Sequence, residues 1–318
     1  MAHSHDHGAH DDDHGHDHDH PGHHHHVPAD FGRAFAIGVT LNTAYVVAQV
    51  VFGLLANSVA LLADAAHNLG DVLSLLLAWG ASVLVKRQPS GRFTYGLRKT
   101  SVLAALANAV LLVFVTGAIA SEAVHRFLHP SPVGGWTVVW VAALGILVNG
   151  GTAMLFFRGR DSDLNVRGAF MHMAADAVVS LGVVFAGIGI LLTSWTWLDP
   201  AVSLAISSVI LWGTWDLLRD SVKMSLDAVP EGIHLHEVRK YLDGLEGVTE
   251  IHDLHIWPMS TTETALTVHL LMPRGHPGDA YITCVCEELK SRFRINHTTV
   301  QIEIDPRVPC ALAPDHVV

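Results

Sequence analysis

The sequence predicts an all-α transmembrane bundle of six helices, followed by a small C-terminal α+β domain. Three observations carry that reading. Six apolar stretches are each long enough to cross about 30 Å of hydrocarbon as a helix, which takes roughly 20 residues. Of the 318 residues, 50% are hydrophobic and only 15% are charged, and mean hydropathy is positive, a balance foreign to ordinary soluble domains. The final third then turns polar and alternates with strand and helix periods.

Residues 1–32 precede the first span and read MAHSHDHGAHDDDHGHDHDHPGHHHHVPAD up to Asp30. They lack the basic start and apolar core of a secretory signal. Half of the chain's 24 histidines fall in the first 26 residues, interleaved with Asp. Such a tract cannot bury a core and should be disordered, while offering many neutral imidazoles. The run His23–His26 is short for an expression tag, and the His-Asp repeats before it point to a native metal-collecting tail.

The spans follow in order as Ala34–Leu55, Val59–Val85, Thr100–Val124, Thr137–Phe157, Ala169–Leu192 and Pro200–Leu218, giving a transport-sized domain over 33–225. Only Ala56, Asn57 and Ser58 separate the first two, which must therefore form a tight antiparallel hairpin. Glu122 and Asp216 sit near helix ends, within reach of interfacial water. Recurrent Gly and Ala allow close helix approach, and Asn42, Asn108 and Asn149 are expected to bond between helices. Lys86, Arg87, Arg92, Arg98 and Lys99 follow the second span, Arg158, Arg160 and Arg167 the fourth, Arg219 and Lys223 the sixth. The alternate connections hold only Arg126, so the positive-inside rule places both termini in the cytoplasm.

Residues 226–306 read as a soluble domain: helix Gly232–Leu245, strands Val248–Met259 and Thr264–Met272, helix Asp279–Phe293 and strand Thr298–Ile304. This α-β-β-α-β order suggests helices on one sheet face. Alternation on the last strand buries Val300, Ile302 and Ile304 and exposes Thr299, Gln301, Glu303 and Asp305. Residues 307–318 form a short Pro-rich tail. The net charge of −11 reflects acids in the tail and the C-terminal third, and so little basic surplus excludes nucleic-acid binding. Cys284, Cys286 and Cys310 are odd in number and offer no disulfide framework. The first two read as small core residues rather than chelators.

The chemistry lies within the spans. His67 and Asp71 stand i, i+4 in the second, His172 and Asp176 i, i+4 in the fifth, so each pair shares one helix face. Asp at a helix centre costs roughly 2.5–3.5 kcal/mol on insertion scales, and no Lys or Arg lies near in sequence. Two imidazoles and two carboxylates suit a tetrahedral divalent cation such as Zn2+. The competing reading is ordinary polar contact between helices. The two spans run in opposite directions, so side-by-side packing brings His67 level with Asp176 and Asp71 with His172. The span limits, however, place His172 nearer the cytoplasmic surface than Asp71. Asp64, three residues before His67, either guides ions outward or serves the helix start or interface.

LLADAAHNLGDVLSLLLAW, then RFTYGLRKTSVLAAL, RGAFMHMAADAVVSLGVV and DLHIW together resemble the cation diffusion facilitator family of metal exporters, over roughly residues 33–306. The resemblance implies a homodimeric metal/proton antiporter, paired through its transmembrane and C-terminal domains, with a metallochaperone-like cytoplasmic domain. The family's transport site carries over onto His67, Asp71, His172 and Asp176, and His at the first position implies zinc. Two departures stand out. Lys99-Thr100-Ser101 replaces the RxE of many relatives, and Arg87–Lys99 lacks the Asp/His cluster some use for a second zinc, so no site is expected there. A cytoplasmic zinc site is implied at His252, His269 and Glu303, with Asp305 assisting. Alternation puts His252 in phase with Leu254 and Ile256, which leaves His255 as a substitute.

The expected activity is therefore proton-coupled Zn2+ efflux across a bacterial inner membrane, without an enzymatic step. His67 and His172 would carry the protons, because imidazole titrates near neutrality and metal binding releases protons. Regulatory zinc in the cytoplasmic domain would stabilise the dimer. Co2+, Ni2+ or Cd2+ as cargo, or a membrane-anchored metal buffer or sensor, are the alternatives. An intramembrane zinc hydrolase is disfavoured by four protein ligands, where catalytic zinc keeps an open position, and by the lack of HExxH.

Overall fold

The structure is a computed structural model that describes residues 33–85, 87–156, 164–275 and 278–313; the His-rich tail lies outside them. Six long helices come first: α1 (Arg33–Leu55), α2 (Val59–Val85), α3 (Thr100–Leu128), α4 (Gly135–Phe156), α5 (Leu164–Thr193) and α6 (Leu198–Ser225). The C-terminal domain adds α7 (Leu235–Asp243), β1 (Glu250–Pro258), β2 (Thr264–Leu271), α8 (Asp279–Phe293) and β3 (Ile295–Glu303). Among the described residues, α3 to α6 each contain a stretch long and apolar enough to cross a membrane, and α1 adds a shorter apolar run, Val39–Leu55.

Several helices outrun their apolar stretches. α5 starts at Leu164 rather than Ala169, and α6 continues to Ser225 rather than Leu218. Hydropathy marks only the part facing lipid, whereas backbone hydrogen bonding carries the helix on into water. The early start of α5 removes the mismatch in depth. His172 lies eight residues inside α5, about 12 Å at 1.5 Å per residue, deep enough to meet Asp71.

The end of the bundle opposite the soluble domain is closed by polar caps over an apolar layer. The α1–α2 turn places Asn57 in the left-handed region (φ 53°), which Asn tolerates better than most residues. Its side-chain amide donates to Ser131 Oγ (3.0 Å) and the Pro132 carbonyl (3.1 Å), and Arg126 Nη1 donates to its carbonyl (2.5 Å). Asp199, in the first turn of α6, accepts from the Val59 and Ala60 amides (2.7 and 3.4 Å) and from Ser58 Oγ. An α6 carboxylate thus satisfies the free N–H groups that begin α2. Beneath it, Ala60, Leu61, Val138, Ala142 and Val183 are buried in one cluster with Ile206 and Ile210.

In the soluble domain, β1 pairs antiparallel with β2 and β2 parallel with β3. The parallel pair needs a crossover, which α8 supplies. Val238 and Leu242 of α7 and Val285, Leu289 and Phe293 of α8 pack on Leu266, Val268 and Leu270. Three expectations are corrected here. α7 begins three residues late because Gly232 adopts φ +83° and His234 is extended. Ile304 is 62% exposed, since β3 ends at Glu303 and no partner strand covers the next residue. Cys284 is exposed and Cys286 half-buried, so they are not both core residues.

The two parts meet at the start of α3. Arg98 donates to Glu263 (2.7 Å), Lys99 to Asp227 and the Pro258 carbonyl (3.1 Å), and Ser101 Oγ accepts the Thr261 amide (3.1 Å). Ser101, one of the departures from the family pattern, thus seats the β1–β2 turn.

Asp199→Ala leaves the first amides of α2 without their acceptor. Losing such a cap costs about 1–2 kcal/mol, and the expected outcome is a lower Tm for the detergent-solubilised protein than for an exposed control such as Asp243→Ala.

Candidate metal centres

The antiparallel packing of α2 and α5 builds the first centre. His67 Nε2 lies 3.0 Å from Asp176 Oδ1, and His172 Nε2 lies 3.3 Å from Asp71 Oδ2 and 3.7 Å from Asp176 Oδ2. The two imidazoles stand edge to face, their centroids 6.2 Å apart. One donor atom each from His67, Asp71 and Asp176 fits within 4.8 Å, and a small inward turn of the side chains would bring them to the metal–ligand distances of about 2 Å that one cation needs. Rigid helices supply all four side chains, so no irregular backbone is needed. Gly70, beside Asp71, makes room for α3: a Cβ there would stand 2.6 Å from Leu112.

Asp64 sits one turn further along α2 and joins a polar network of its own. Gln49 Nε2 donates to Asp64 Oδ2 (2.6 Å) and to the Tyr45 hydroxyl (2.9 Å), and Asn68 Nδ2 donates to Gln49 Oε1 (3.1 Å). Composition gave no sign that Tyr45 and Gln49 of α1 and Ser180 of α5 belong with Asp64, because helix packing and not sequence spacing brings the three helices together. Asn108 bonds across to Ser74 (2.7 Å), as a helix-bridging amide should.

The second centre lies on the sheet of the soluble domain. His252 and His269 are direct cross-strand partners, with ring centroids 5.3 Å apart. Glu303 Oε1 lies 3.2 Å from His252 Nε2 and 3.2 Å from His269 Nδ1. Two of the sequence candidates are elsewhere: Asp305 is paired with Arg307 (2.9 and 3.0 Å), and His255 with Asp253 (2.9 Å). The reason for His252 is a bulge. The β1 register shifts between His252 and His255, with Asp253 at φ 50°, and the extra residue resets the alternation.

Cys310 was missed. Its Sγ lies 3.6 Å from His269 Nδ1, and it completes a four-residue group with His252, His269 and Glu303 whose donor atoms fall within 4.8 Å. The chain reaches back there because Pro306 opens a turn closed by the Val308 amide on the Asp305 carbonyl (3.1 Å), with Pro at the position turns favour. Pro306 and Pro309, which both precede Cys310 just after the last strand, were the available signal. Two nitrogens, a carboxylate and a sulfur are a zinc-type donor set, and the buried His252 Nδ1 has no hydrogen-bond partner.

Residues 35–224 match the family model described as the cation efflux transmembrane domain, and residues 230–305 the model of the cation efflux protein cytoplasmic domain. The chain is 34% identical to the metal cation efflux system protein CzcD of Cupriavidus metallidurans, over 88% of its own length and 89% of the relative's. It is 34% identical to the zinc transporter ZitB of Escherichia coli, over 96% and 94% of the two chains. A cadmium, cobalt and zinc/H(+)-K(+) antiporter of Bacillus subtilis is 30% identical over 86% and 89%.

Protonation should govern the second centre. The Leu312 amide favours the Cys310 thiolate, but desolvation and the Glu303 carboxylate outweigh it and push the thiol up. Desolvation would raise Glu303, yet hydrogen bonds from Cys310, His252 and Gln301 hold it below the ordinary carboxylate range. A cation entering the group must therefore displace the thiol proton. The expected outcome is apparent zinc affinity that rises with pH through the thiol range in calorimetry on the full-length protein, and a flatter rise in Cys310→Ser.

Proposed function

The chain belongs to the cation diffusion facilitator family of metal cation transporters, and on that premise we propose that it exports Zn2+ from the cytoplasm in exchange for protons through His67, Asp71, His172 and Asp176. One observation carries the reading: two reciprocal imidazole–carboxylate pairs join α2 and α5. The relatives named as zinc transporter and as metal/proton antiporter support the same cargo and coupling.

Exchange follows from the ligands. A cation from the cytoplasm meets deprotonated carboxylates and neutral imidazoles, and binding it neutralises two charges that the low-dielectric surroundings penalise. Once the site faces outward, protons arriving at His67 and His172 turn acceptors into donors, and the cation loses its nitrogen ligands. The aspartates keep the site near neutrality in both states. Proton and metal thus compete for the same atoms, which is the minimum requirement for antiport.

The cytoplasmic group of His252, His269, Glu303 and Cys310 serves as a sensing site, filled when cytoplasmic zinc is high and stabilising a homodimer. Both termini face the cytoplasm of a bacterial inner membrane, where the proton gradient is directed inward. Co2+ and Cd2+ are the second reading of the cargo. The B. subtilis relative's printed name favours them, and imidazole with carboxylate accepts several borderline cations.

Everted membrane vesicles with an imposed pH difference test the central claim: zinc accumulates inside when the lumen is acidic and stops when the gradient is collapsed. Removing one ligand should cost more than the 10–100-fold typical of losing an outer-shell partner, so Asp71→Ala is expected to fall to about the level of empty vesicles. Wild-type accumulation by Asp71→Ala would refute the site. His252→Ala/His269→Ala should keep transport at saturating zinc but lose its zinc-stimulated component and the zinc-dependent rise in dimer fraction.

A further inference from the structure

The two ligand pairs are the lower rungs of a longer ladder. Asp71, His67 and Asp64 follow one face of α2, and His172, Asp176 and Ser180 one face of α5, so each α2 residue meets one from α5. The rungs measure 3.3 Å (Asp71–His172), 3.0 Å (His67–Asp176) and 3.4 Å (Asp64–Ser180). Asp71 and His172 are 20% and 22% exposed and His67 25%, whereas Asp176 is 2% exposed and Asp64 not at all. The third rung has a carboxylate and a hydroxyl but no imidazole.

The surroundings of Asp64 suit a proton rather than a cation. Asn68 Nδ2 donates to the Asp64 backbone carbonyl (3.0 Å) and to Gln49 Oε1 (3.1 Å). This fixes the Gln49 amide with its N–H turned to Asp64 Oδ2 (2.6 Å), and an N–H aimed into the rung repels a divalent ion. The other oxygen, Oδ1, is sealed from solvent without a hydrogen-bond partner. A buried carboxylate so placed is costly as an anion and inexpensive as an acid. The titratable groups facing it are His67 on its own helix, Asp176 on α5 and Tyr45 on α1. Tyr45 reaches the network only because position 145 is glycine; a Cβ there would stand 2.0 Å from its hydroxyl.

We propose that Asp64 is the outer proton-holding residue of the exchange: it takes one proton from the outer side on Oδ1 and passes it to the His67–Asp176 rung as the cation leaves. The proposal rests on the proton-coupled reading above. One proton is bound and one released per cycle, and Asp64 returns to the carboxylate.

Full-length protein in proteoliposomes tests it with Asp64→Asn, which has the size of the acid and fixes the neutral state. The expected outcome is zinc binding and downhill zinc flux at equal pH as in wild type, with loss of accumulation driven by a pH gradient and a flattened pH profile of flux. Asp64→Glu should restore gradient-driven accumulation with a shifted profile, and Ser180→Ala should behave as wild type. Wild-type accumulation by Asp64→Asn overturns the proposal. So does a folded, monodisperse Asp64→Asn that has lost zinc binding and downhill flux as well, which would make the residue part of the cation path or the packing. Should Asp64→Asn fail to fold, an unchanged pH profile in Asp64→Glu overturns it. If wild-type protein itself shows no gradient-driven accumulation, the antiport reading fails instead, before any Asp64 variant is compared.

Discussion

The transmembrane part depends on one interaction, the reciprocal meeting of α2 and α5 through two histidine–aspartate pairs. Each helix contributes one imidazole and one carboxylate, so neither carries both charges of the site. Antiparallel packing is the only arrangement that pairs unlike groups at both levels. The rest of the bundle can be read as support for that register. Asp199 fixes where α2 starts, the Asn57 turn fixes its distance from α1, and the apolar layer of Leu61, Ala142 and Val183 closes the end beyond the site. Carboxylates in such surroundings are stable only when a proton or a cation attends them. The coupling proposed for this chain would then be a consequence of where the aspartates stand rather than an added device.

Much of this was legible in the sequence, and what was not has identifiable causes. The helix count and the i, i+4 pairs follow from a period of 3.6 and a hydropathy contrast, both strong signals over spans of this length. The true start of α5 was hidden because Asn165 and Arg167 are compatible with helix but not with lipid. In the soluble domain, strict alternation misplaced His252, since a bulge at Asp253 adds a residue to β1 that no sequence period announces. Cys310 escaped because it belongs to a turn after the last strand. Its neighbours His252 and His269 are brought to it by strand pairing, and turn geometry decides which side chain comes back. Gln49 and Tyr45 were invisible for a related reason: a polar residue in a lipid-facing stretch shows its cost in the sequence but not its partner.

The junction between the two parts shows why the departure at residues 99–101 is compatible with the fold. Arg98 is already paired with Glu263 of the β1–β2 turn. The Ser101 hydroxyl accepts the Thr261 amide without adding charge. The same β1 strand that begins near His252 ends at Pro258, whose carbonyl receives Lys99. Six residues of strand at about 3.3 Å each place the cytoplasmic metal group roughly 20 Å from the start of α3, joined by a stiff element rather than a loop.

The two centres also differ in ways that suit different tasks. The membrane group offers nitrogen and oxygen donors, and three of its side chains keep a fifth to a quarter of their surface exposed. Such a donor set suits the release on protonation that the proposed exchange requires. The cytoplasmic group adds sulfur, a softer donor that favours zinc and cadmium over cobalt and nickel. A cargo site must exchange on every cycle, whereas a sensing site must stay filled long enough to report concentration. The donor sets and their accessibility divide in that direction, and this is the physical ground on which we propose transport at α2 and α5 and sensing at the sheet.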